Sequence, residues 1–177
     1  MDNINKLTEI LALCVPQLDP SPLRAAPPAS TDRSDVLAWF ANHLEQQGLL
    51  AYEEWKEYFG HVPALQSLCG IDLADYDDDF IISLIEDVDF PDAEAAYTLQ
   101  YELPFLEHIN SILQPQGLRL VDLLPFENAY IFCVKDDEDQ LRQLSKCLQA
   151  FDMDINERSA MNQQQAMAHL DALLGNG

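Results

Sequence analysis

The stretch LRLVDLLPFENAYIFCV, Leu118–Val134, decides the fold class. It contains two apolar runs, LRLVDLL over Leu118–Leu124 and AYIFCV over Ala129–Val134, joined by PFEN. Branched and aromatic residues favour a pleated surface, and a joint containing proline and asparagine returns the chain on itself. The stretch therefore predicts an antiparallel hairpin. The second run has no polar alternation, which places it centrally in a sheet, covered on both faces.

The flanking sequence predicts helices. Downstream, Asp136 or Asp137 can cap a helix whose buried stripe is Leu141, Leu144, Cys147, Leu148 and Phe151. A last helix from about Ala160 to Leu174 is expected to use Met161, Met167, Leu170 and Leu174. Upstream, residues 92–113 predict a helix kinked or divided at Pro104 and closed by Pro115 and Gly117. Ser34 is placed to cap a helix over Asp35–Gln47, with Val36, Trp39, Phe40, His43 and Leu44 on one face and Gly48 as its stop. Leu49–Gly60 carries both periodicities; a helix is expected there, with room for a short strand at its start. VPALQSLCG predicts a short helix ended by Gly70.

At the amino end, Ile4, Leu7, Ile10, Leu11 and Cys14 recur at helical spacing until Pro16. Pro16–Arg33 holds five of the ten prolines and is expected to run extended, because proline fixes φ and removes a donor. The expected architecture is α+β: a small antiparallel sheet packed by several helices, forming a single domain over residues 34–177 after a helix and proline-rich linker over 1–33. At 177 residues and 48% apolar composition the chain can bury a proper core.

Charge narrows the function. There are 31 acidic residues against 9 basic ones, a net charge of −22, and phosphate backbones or anionic lipid would repel such a surface. Direct nucleic-acid and membrane binding are not expected; a protein partner, basic or met through an apolar patch, is. The N-terminal segment lacks the basic region and length of a secretory signal, and no stretch is long enough to span a bilayer, so a cytoplasmic setting is expected. Cys14, Cys69, Cys133 and Cys147 form no CxxC pair; Cys14 and Cys133 lie in apolar runs and are expected to pack as small hydrophobes.

The acidic stretch DYDDDFIISLIE, Asp75–Glu86, fits a calcium-loop register at Asp75, Asp77, Asp79 and Glu86, but its sixth position is Phe80 where such loops need glycine. Left-handed geometry at a bulky residue costs about 1–2 kcal/mol. Phe80, Ile81, Leu84, Ile85 and Val88 instead share one helical face, so Asp77, Asp78 and Asp79 are expected to decorate a helix amino end. No metal or cofactor is expected. Lysine and arginine are absent from Glu57 to Leu118, so Asp77, Asp78, Asp79, Glu86 and Asp89 are candidates for an acidic interaction face. That face would serve either a general protein contact or a mimic of DNA, an immunity-type inhibitor directed at a basic protein.

Trp39, Trp55, Phe40, Tyr52, Tyr58 and Phe59 cluster in adjacent segments. They are expected in the core; any ring left exposed, Trp55 and Tyr58 being the candidates, would anchor a protein contact. Nucleophile and metalloenzyme motifs are absent, and six glycines are few for cofactor loops. The remaining enzyme reading is an acid-base site around His108 with Tyr97, Tyr101 and Glu102.

The order AYEEWKEYFG, acidic segment, HINSILQPQGLRLVDLL and NAYIFCV resembles a family of bacterial proteins known as a domain of unknown function, over roughly Leu37–Phe151. The resemblance rests on the Trp55-Lys56 pair and the final hairpin. Members carry an acidic residue two positions before the hairpin tyrosine; here the step is Asn128-Ala129-Tyr130, so a role needing a carboxylate does not carry over. The resemblance implies a compact cytoplasmic domain and no activity, cofactor or catalytic residue.

Overall fold

The computed structural model describes residues 2–54, 65, 67–73, 76 and 102–175. Within them lie six helices and one four-stranded antiparallel sheet: α1 (Asp2–Cys14), α2 (Ser21–Ala25), α3 (Arg33–Gln46), β1 (Leu50–Glu53), α4 (Phe105–Leu113), β2 (Leu118–Leu124), β3 (Ala129–Lys135), α5 (Glu138–Gln149), β4 (Asp154–Asn156) and α6 (Gln163–Leu173). The class is α+β, as the hairpin and its flanking periodicities predict.

The expected hairpin forms, with Val121 opposite Phe132 and Asp122 opposite Ile131. Strand order is β1-β3-β2-β4, so β3 is central. Successive side chains on a strand point to opposite faces, and each face of this sheet has its own core. On one, Val121, Leu123, Phe132 and Val134 pack with Leu7 and Leu11 of α1, Phe40 and Leu44 of α3, and Leu144 and Leu148 of α5. Phe40 and Phe132 meet edge to face at 5.3 Å between ring centroids. On the other, Leu120, Ile131 and Cys133 pack with Leu106, Ile109 and Leu113 of α4 and Leu170 of α6. Helices thus cover both faces of an antiparallel sheet.

Capping sets several boundaries. The Asp137 carboxylate accepts from the Asp139 and Gln140 backbone N–H groups at the start of α5. Asn162 and Gln165 form a reciprocal capping box at the start of α6. Gly48, at φ +69°, ends the turn after α3, and its carbonyl accepts from Cys69 N–H. Pro104 divides the helix expected over 92–113: α4 starts immediately after it, and 92–101 lie outside the described residues.

Several expectations are corrected. Ser34 does not cap α3; the helix begins at Arg33, with Asp32 in the cap position. Pro16–Arg33 is not wholly extended: α2 forms there, with Pro22 in its first turn, where a missing N–H costs nothing, and Leu23 is fully buried. The Gln47 side chain also clamps this segment, accepting from Asp19 N–H and donating to its carbonyl. At Leu49–Gly60 the short strand is what forms, as β1, with 55–60 outside the described residues. In α6 the buried positions are Ala166 and Leu170, one helical step apart, while Met167 is 43% exposed. β4 was not anticipated, being only three residues long and held by pairing with β2.

Cys14 and Cys133 are buried as expected, and burial pushes their thiols up to about 11 and about 12. They stay protonated and pack as hydrophobes.

Candidate functional site

Where β1 and β3 run past the first core, the antiparallel register puts Tyr52 directly opposite Tyr130. Their rings meet edge to face at 5.3 Å, and Phe126, from the hairpin joint, meets Tyr130 at 5.5 Å. The three rings form a strip that leaves the core and reaches solvent: Phe126 and Tyr130 are half-buried, and Tyr52 is 42% exposed. Burial raises the Tyr130 phenol, and neighbouring Tyr52 adds to the effect. Asn128 Nδ2 donates to Tyr52 Oη at 2.9 Å. This orientation needs an amide; a carboxylate at 128 could only accept the phenolic proton. Glu53 and Glu127 flank the strip in sequence, so its surroundings are acidic.

Of the aromatic group singled out in the sequence, Trp39 and Phe40 are core residues, 5% and 0% exposed, and Tyr52 is the exposed ring among the described ones. Trp55, Tyr58 and Phe59 lie outside the described residues, as do Asp77, Asp78, Asp79, Glu86 and Asp89. Tyr130 and Phe126 were not anticipated beside Tyr52, because only strand register brings positions this distant in sequence together.

His108 is half-buried on α4, with Nδ1 3.0 Å from the Tyr76 hydroxyl, and desolvation lowers its affinity for a proton. Tyr76 also packs edge to face on Phe105. Glu102 is exposed, and Tyr97 and Tyr101 lie outside the described residues. Glu107 turns away from its neighbour His108 into a buried ion network.

In that network Arg158 Nε donates to Asp122 Oδ1 at 2.7 Å, and its two terminal nitrogens reach Asp122 Oδ2 at 3.3 Å and Glu107 Oε1 at 3.1 Å. Desolvation alone would lower the guanidinium; the two carboxylates more than offset it and hold Arg158 charged. Burial pushes the Asp122 carboxyl up against the pull of Arg158. Asn110 braces the site, donating to the Leu120 and Arg158 carbonyls and accepting from Leu120 N–H. Across the sheet, Arg119 pairs with Asp136 at 2.6 Å and Glu138 at 3.0 Å. Two of the nine cations are thus buried and paired with carboxylates, internal ones around Arg158 and partly exposed ones around Arg119. The sequence signal was present but unread: Asp122 and Arg119 are the two charged residues in an otherwise apolar strand.

Comparison of the chain with family models, with curated proteins and with solved structures finds no match.

Proposed function

We propose that the protein is a non-catalytic module that binds another protein, seating it on the Tyr52–Tyr130–Phe126 strip and attracting it through the surrounding negative charge. The observation that carries this reading is the exposed Tyr52 at the end of a braced aromatic strip. Tyrosine buries a large area for little conformational entropy and is enriched where proteins meet. A net charge of −22, with two of the few arginines enclosed, favours a basic partner and steers its approach. The proposed setting is the bacterial cytoplasm, in keeping with the family resemblance, and the reading needs no cofactor.

The test is affinity capture at low and high salt with the wild type and Tyr52→Ala. Capture that survives high salt and is lost in Tyr52→Ala places the contact on the strip; capture at low salt only assigns it to charge. No partner under either condition, together with turnover in a broad substrate screen, overturns the reading.

A second reading, mimicry of DNA toward a basic protein, is favoured by the cation-free segment from Glu57 to Leu118. It predicts that lysines introduced at Asp77, Asp78, Glu86 and Asp89 abolish capture without unfolding the chain. Unchanged capture rules it out.

A further inference from the structure

Helices α1 and α5 pack side by side, and their outer seam holds a groove of about 320 Å³, within the size range of small-molecule sites. Its apolar lining is Ile10, Leu13 and the Cys147 thiol, with Leu13 55% exposed despite its aliphatic side chain. At its edges stand Lys6 from α1 and Lys146 from α5, both exposed. Burial pushes the Cys147 thiol up, and Lys6, within electrostatic reach across the seam, offsets only part of that rise. Glu9 also lines the groove, and Lys6 forms a surface pair with Asp2 one turn earlier, which water and salt weaken. The lining thus carries two ammonium groups, Lys6 and Lys146, against one carboxylate, Glu9, with Asp2 beyond the lining paired to Lys6, on a chain of net charge −22.

We infer that this groove binds an aliphatic carboxylate, with the hydrocarbon tail on Ile10, Leu13 and Cys147 and the carboxylate between the Lys6 and Lys146 ammonium groups. Lysine stems extend apolar surface while their ammonium groups stay in water, so a groove edged by two lysines offers an apolar floor and a cationic rim together. An aliphatic cation would find Glu9 and meet two like charges. At physiological salt the screening length is about 8 Å, so the local lysines outweigh distant carboxylates on the rest of the surface.

The probe is decanoate, and the readout is the rate at which N-ethylmaleimide alkylates Cys147 in the full chain. Cys69 is exposed away from the groove lining and serves as internal reference, while Cys14 and Cys133 are buried. Decanoate at ten times its dissociation constant is expected to slow Cys147 about tenfold and leave Cys69 unchanged. Lys146→Glu abolishes the protection and Lys146→Arg keeps it, each confirmed folded by near-ultraviolet circular dichroism. The inference is overturned if Cys147 labelling is unaffected by saturating decanoate, or if decylammonium protects equally. It is also overturned if Cys147 is protected in a protein-concentration-dependent way without probe, which would make the seam a contact between copies of the chain.

Discussion

Two internal carboxylates, Asp122 and Glu107, share one guanidinium, Arg158, and the backbone of that arginine sits at φ +47°, where side chains other than glycine are strained. An arginine held there is fixed by its partners. Removing one member of a buried ion pair leaves the other uncompensated, so Arg158→Met and Asp122→Asn are each expected to lower unfolding stability by about 3–5 kcal/mol, measured by urea titration. Glu107→Gln should cost less, because Arg158 keeps its two-point contact with Asp122. His108 makes a second prediction at this scale. Its affinity for a proton is lower folded than its ordinary 6.5, so the unfolded chain binds the proton more readily. Its contribution to stability is full above about pH 6.5 and drains away as pH falls through the depressed folded value. His108→Gln should flatten the stability profile between pH 7 and 5; an unchanged slope would assign the acid sensitivity to other groups.

Elements were legible wherever one periodicity dominated. The stripe of α1, Val36, Trp39, Phe40 and Leu44 of α3, Leu141, Leu144 and Leu148 of α5 and the β2–β3 hairpin lie where apolar spacing placed them, because helix and strand periods are imposed by the backbone. Cys147, expected in the buried stripe, is instead half-buried on the outer side of α5, and Phe151 is buried just past the helix end. What spacing could not reveal depends on distant partners. β4 exists only through its ladder with β2, and Leu50–Glu53 becomes a strand only because β3 offers an edge. The interaction strip was half legible for the same reason: Tyr52 was visible as an aromatic, whereas its placement beside Tyr130 is a matter of register. At the α3–β1 junction the prediction is local. Gly48 adopts φ +69°, and an added Cβ would sit 3.0 Å from Cys69 Sγ. Gly48→Ala is expected to cost about 1–2 kcal/mol, read as a lowered thermal midpoint; a neutral result would show that the turn relaxes.

Across the whole molecule, the two faces of the sheet divide the labour. One face takes α1, α3 and α5, and the other takes α4 and α6 together with the buried ion network. Helix α1 is not peripheral in this packing, since Leu7 and Leu11 are fully buried in the core that contains Phe132. Leu7→Ala should therefore destabilise the whole chain by about 2–5 kcal/mol in a single cooperative transition. Separate melting of the amino-terminal segment would contradict that. Among the described residues, Leu13, Tyr52, Ile112, Leu124 and Met167 are the large apolar side chains left exposed, and Tyr52 is the aromatic one.

The strand order has a temporal consequence. β2, β3, α5 and β4 follow one another within Leu118–Asn156, so three of four strands can zip together through short connections. β1 must instead close a loop of about 75 residues to reach its neighbour, an entropic toll that delays non-local pairing. Refolding should thus start in the carboxy-terminal half, and pulsed hydrogen exchange should find the amides of Ile131–Val134 protected before those of Leu50–Glu53. The surface that carries Tyr52 would be the last to ripen, so a nascent chain could not engage a partner there until everything beneath it had set.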